Sequence, residues 1–304
     1  MYLDKVLITT VVGSYPTRIS NERLMRSYYG DGDPYLESLK EAVDAQVDAG
    51  IELITDGQTR NGMVEIFAEG IKGLRIKKKI EIVSEVRHTG PIILDDIEHV
   101  KNIMPESCGL KAVLTGPWTL FKSVEDRYYD DQEDALMDIT KTLKEEAQLL
   151  DDLCDVIQID EPFFSVEYPD HGCDLIDKIA DVDTPTALHV CGDVEPIVEE
   201  LIESDVDILD HEFASNPHLY DVYEGLDLAK KISVGVVTTK DRVEDITEIK
   251  DNINRAYDTF GPKTMVDPDC GLRNLEEEKA RKKLENMVIA RNVVLNERNR
   301  EIRG

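Results

Sequence analysis

Along most of the chain, short β-branched and apolar runs alternate with stretches of helical periodicity, a pattern that few folds can accommodate. The runs fall at residues 6–12, 52–55, 111–115, 155–159, 185–189, 207–209, 233–237 and 264–266. Helical spacing follows at 35–49, 132–153, 194–203, 219–231, 243–260 and 275–296, with Gly50 placed to stop the first of these. Buried strands separated by helices pair in parallel, and eight such units predict a closed (β/α)8 TIM barrel. An open doubly wound sheet is the alternative. The rhythm breaks once, at about 61–110, where alternation around 75–87 predicts a hairpin inserted between the second and third strands. No linker or tandem repeat divides the chain, so the expectation is one catalytic domain over residues 1–304.

The charge balance removes several classes of function. With 35 Lys and Arg against 64 Asp and Glu, the formal charge is -29, which argues against phosphate-directed nucleic-acid binding and against docking on an anionic membrane. The N-terminal residues carry no signal-peptide pattern, and no apolar run approaches about 18 residues, so a cytoplasmic location is expected. Five cysteines without CxxC spacing predict free thiols rather than a disulfide framework.

In an extended strand residues i and i+2 face the same side, so His189 and Cys191 can converge on one point. Both are zinc ligands by chemistry, and a tetrahedral site needs more donors. Glu212, past the sixth strand, and Cys270, past the eighth, supply them, although buried cysteines also serve simply as small hydrophobes. Barrel active sites lie at the C-terminal ends of the strands, and the unusual residues fall there throughout. Gly13 and Ser14 end the first strand, Asp56-Gly57-Gln58 the second, Thr115 to Trp118 the third and Asp160-Glu161 the fourth. Thr238 and Thr239 follow the seventh. Asp160 suits a substrate ammonium group; Glu161 suits that role or a helix cap. Ser14 beside Gly13 suits a substrate carboxylate or a plain turn, and Trp118 suits stacking or packing.

Two thiolates and a carboxylate around zinc leave about one net negative charge, a poor Lewis acid for hydrolysis. Such a centre is better suited to keeping a substrate thiol ionised, since a free thiol has a pKa of about 8.5. The reaction class expected from the residues is alkyl transfer to a thiol.

These motifs resemble those of cobalamin-independent methionine synthase, and more closely its short archaeal form made of the C-terminal catalytic half. The resemblance rests on Thr9 to Pro16, Asp56-Gly57-Gln58 with Met63-Val64-Glu65, Leu114 to Pro117, Ile157 to Pro162, His189-Val190-Cys191, Glu212 and Asp267 to Gly271. It implies zinc on His189, Cys191, Glu212 and Cys270, and L-homocysteine held partly by Ser14 and Asp160. Two departures stand out: the homocysteine-binding glutamate that follows the second strand in the large enzymes is missing here, with Gln58 as the candidate to take over its substrate contact, and Thr238-Thr239 replace a proton-donating histidine. A folate amine leaving group needs that proton, whereas a methylcorrinoid does not, so the expected donor is a methylcorrinoid carried by a corrinoid protein. Transfer to another thiol such as coenzyme M, and a non-catalytic zinc barrel that partners a corrinoid protein, are the competing readings.

Overall fold

The computed structural model describes residues 2–17, 19–30, 32–226 and 228–303. Its strands are β1 (Leu53–Ile54), β2 (Lys72–Ile76), β3 (Ile80–Arg87), β4 (Gly109–Thr115), β5 (Glu125–Asp126), β6 (Val156–Asp160), β7 (Thr186–Val190), β8 (Ile208–His211), β9 (Lys231–Val237) and β10 (Met265–Pro268). Seven form one parallel sheet in the order β1-β4-β6-β7-β8-β9-β10. Thr9 bridges Val266 of β10 and Thr10 bridges Leu53 of β1, both in parallel, so the first strand position closes the sheet on itself. The fold is a (β/α)8 barrel.

Residues 6–12 were expected to form a full strand and contribute two single bridges instead. The adjacent β1 offers only two residues, and Leu7 adopts a left-handed φ of 48°, which breaks extension on that side. Threonine hydroxyls reinforce the contact: Thr10 Oγ1 donates to Leu53 O at 2.8 Å, and Thr9 Oγ1 accepts the Glu52 N–H at 3.1 Å.

Helices cover the outside. The helix Leu36–Ala49 ends at Gly50, whose φ of 87° a side chain would resist and whose N–H returns to Val47 O. The helix expected at 219–231 is only Leu219–Tyr223, because the chain turns at Gly225 and enters β9 at Lys231; Asp227 of that range lies outside the described residues. A helix at Gly172–Ala180, unforeseen in the sequence, makes the crossover from β6 to β7. Glycine at its start and Asp-rich flanks hide its short apolar stripe of Leu175, Ile176 and Ile179. Between β1 and β4 the hairpin is present: β2 and β3 pair antiparallel, and β5 joins them.

Inside the barrel, apolar and polar residues are sorted along each strand. Leu53, Val156, Ala187, Ile208 and Met265 form an apolar plug with Leu3 and Ile8 at the N-terminal end. Two residues further on, the same inward faces carry Gln158, His189, Asp210 and Asp267, all 1 % exposed or less. The interior is thus dry at one end and densely polar at the other. Among the described residues no helix is long and apolar enough to cross a membrane.

Candidate active site

A cleft of about 270 Å³ opens over the polar end, lined among others by Ser14, Gln58, Asp160, His189, Cys191 and Cys270. Each comes from a different strand end except the His189/Cys191 pair, which β7 places two residues apart. His189 Nε2 lies 3.1 Å from Cys191 Sγ, and Cys191 Sγ lies 3.1 Å from Cys270 Sγ. The three donor atoms fall within 4.8 Å of one another. Donors of a tetrahedral zinc stand about 3.5 Å apart, given bonds of about 2.0–2.3 Å, so imidazole and two thiols in this cluster fit such an ion with slight spreading.

Glu212 does not join them. It is half-buried just past β8 and falls outside the group of donors that lie within 4.8 Å of one another. Burial raises its pKa, with Cys270 adding repulsion. Of the sulfur pair, Cys270 is pushed down by the hydrogen bond from Cys191, which is itself pushed up by that bond. Burial disfavours a charged His189, yet Cys191 and Asp210 outweigh it and raise its pKa.

Sequence reasoning missed Asp210. Its Oδ2 lies 3.0 Å from His189 Nδ1, off the line of an ideal N–H···O bond, and parallel pairing of β7 with β8 sets the two residues side by side. A carboxylate on the far nitrogen of a metal-binding imidazole fixes its tautomer and orientation. The available signal was an acidic residue closing an apolar strand two positions before Glu212.

Asp160, 6 % exposed, has its pKa raised to about 7 by burial. Gln58 is held with a left-handed φ of 46°, and its backbone carbonyl accepts a bond from Arg273, another cleft residue absent from the sequence reading. Gly13 and Gly271 allow close packing here. A Cβ on Gly13 would stand 3.1 Å from Gln58 Oε1, and one on Gly271 would stand 2.2 Å from Ser14 Oγ.

The remaining strand-end residues do other work. Glu161 is fully buried and accepts the N–H groups of Trp118 and Thr119 and the Thr119 hydroxyl, capping the helix Pro117–Ser123. Trp118 packs on Phe121 and donates to Glu167 O. Thr238 donates to Glu244, which Lys283 grips from the C-terminal helix, and neither Thr238 nor Thr239 lines the cleft.

Comparison with known proteins identifies the family. Residues 7–292 match the family model for the cobalamin-independent synthase catalytic domain. The methionine synthase of Methanocaldococcus jannaschii is 37% identical over 311 residues, covering 95% of this chain and 99% of that one. That of Methanothermobacter thermautotrophicus is 38% identical over 306 residues, covering 93% and 99%. A B12-independent methionine synthase from Shewanella, solved in complex with selenomethionine, shares the fold with a TM-score of 0.83 at 23% identity, covering 96% of this chain and 98% of that one. The family match over most of the chain and the relatives of similar length show that the chain belongs to the cobalamin-independent methionine synthase family in its short form, and it is a methyltransferase.

Proposed function

We propose that the protein methylates the thiol of L-homocysteine to give L-methionine, using a methylcorrinoid as donor and zinc as its metal. The observation that carries this reading is the convergence of His189, Cys191 and Cys270 with Ser14 and Asp160 in one cleft at the C-terminal ends of the barrel strands. His189, Cys191 and Cys270 would hold the ion, and Glu212, which stands outside their cluster just past β8, would move in as the fourth donor. Zinc bound there would keep the substrate thiol ionised at neutral pH, which a free thiol is not.

The chain's own groups do the rest. Asp160 takes the substrate ammonium, Ser14 and the backbone beside Gly13 take the carboxylate, and Gln58 closes the cleft between them. The cleft, at about 270 Å³, suits an amino acid and not a folate or corrinoid, so the donor meets the thiolate at the cleft mouth. The thiolate sulfur attacks the methyl carbon; the S–C bond forms as the Co–C bond breaks, and both electrons of that bond leave with cobalt. No proton is needed, in keeping with Thr238 being tied to Glu244 and absent from the cleft. A donor of that size on a corrinoid protein, rather than an enclosed small molecule, is the partner that follows.

The test is loss of methylcobalamin absorbance with the zinc-loaded protein, run with homocysteine and with coenzyme M, and with methionine quantified. Turnover with homocysteine that Cys270→Ser abolishes is expected. Turnover confined to coenzyme M would overturn the acceptor, faster use of a methylfolate would overturn the donor, and a metal-loaded protein inert with every donor would favour the non-catalytic barrel.

A further inference from the structure

Below the cleft, the barrel interior holds a cation that neither the metal cluster nor the substrate contacts account for. Lys111, 2 % exposed on β4, sits amid Asp210, Asp267 and Asp160. Burial works against its charge, and the three carboxylates work to retain it. Its Nζ donates to Gln158 Oε1. Gln158 Nε2 donates in turn to Asp160 Oδ1 at 2.7 Å and to Val12 O at 2.8 Å.

The orientation of the Gln158 amide follows from its partners. A lysine ammonium can only donate, and a backbone carbonyl and a carboxylate can only accept, so the amide must present its oxygen to Lys111 and its nitrogen to Asp160. One oxygen of Asp160 is thereby pinned, leaving the remaining lone pairs of a carboxylate that lines the cleft. Take away the ammonium, and Gln158 Oε1 is a buried acceptor without a donor, free to regain one only by turning the amide away from Asp160.

We propose that Lys111 is a positioning residue for substrate recognition: acting through Gln158, it fixes the Asp160 carboxylate in the orientation that receives the ammonium group of the amino-acid substrate. This rests on the reading of Asp160 given under the proposed function. A lysine suits the place because one compact, three-donor cation can hold the amide while offsetting the charge of Asp210, which faces His189. The same buried group therefore serves both halves of the site, substrate and metal side.

The experiment is calorimetric binding of L-methionine and of 4-(methylthio)butanoate, the same molecule without its ammonium, to the purified full-length protein and to Lys111→Met, Gln158→Met and Asp160→Asn. The wild-type protein should prefer methionine, and Asp160→Asn should lose that preference. Lys111→Met and Gln158→Met should each weaken methionine binding about tenfold or more while leaving the butanoate within about twofold. Gln158→Met keeps the buried cation and reads the same link should Lys111→Met fail to fold. Retention of wild-type selectivity in both variants, with Asp160→Asn losing it, would overturn the role of Lys111 alone, as would an equal loss of both ligands. Retained selectivity in Asp160→Asn would remove the ammonium assignment and this proposal with it.

Discussion

Asp56 shows how a single side chain can cost stability where a site needs shape. It closes the turn after β1, 8 % exposed, and burial raises its pKa from 3.8 to about 6, with Asp96 adding repulsion. Between those values the folded protein holds a proton that the unfolded chain has released. Stability therefore falls as pH rises from about 4 to about 6, by at most about 3 kcal/mol, and stays reduced above that window. Asp56→Asn, which keeps the shape and an acceptor oxygen, is expected to match the wild type near pH 4 and to exceed it by about 1–3 kcal/mol near pH 7.5. Urea unfolding at the two pH values checks this; an equal difference at both would show that ionisation of Asp56 is not the cause.

At the scale of elements, the segment that returns from the hairpin is fastened by one carboxylate. Glu146, fully buried on the helix Gln132–Leu150, accepts the Ile92 N–H at 3.0 Å and the Ile93 N–H at 2.8 Å and faces His88 Nε2 at 2.8 Å. Those amides stand at the head of the helix Leu94–Ile103, where N–H groups lack intrahelical partners. A distant helix thus caps a near one and ties the hairpin excursion to the barrel wall. Glu146→Ala should cost about 2–4 kcal/mol, since it strands the buried Ile93 donor and the part-buried Ile92 donor, and Glu146→Gln should cost less. Hydrogen exchange should quicken at Ile92 and Ile93 before it does in the barrel strands. A loss below about 0.5 kcal/mol would mean that water replaces the carboxylate there.

Over the whole molecule, 64 acidic side chains face 35 basic ones, leaving a charge of -29. Surface ion pairs such as Lys144–Asp181 and Arg255–Asp221 are solvent-exposed and contribute little each, so net repulsion should dominate the response to salt. Raising NaCl from about 20 mM to about 500 mM should lift the melting temperature by several degrees. A falling melting temperature would show instead that the ion-pair network outweighs the repulsion.

The sequence by itself determined what depends on local periodicity. Alternating runs specified the barrel, and a two-residue spacing set His189 and Cys191 on one side of β7. The positions of Ser14, Asp160, Glu212 and Cys270 set them at the C-terminal ends of the strands, where Ser14, Asp160 and Cys270 line the cleft. The tertiary structure alone decided what depends on how strands are staggered around the closed sheet. It brings Cys270 against Cys191 across 79 residues, leaves Glu212 outside the donor cluster, assigns Glu161 to a helix cap and sets Asp210 beside His189. Lys111 reads as an isolated charge in an apolar strand until closure surrounds it with acids from β6, β8 and β10. The physical reason is that a side chain's face is set by its own strand's pleat, whereas its neighbours across the barrel are set by register and closure, which no local pattern encodes.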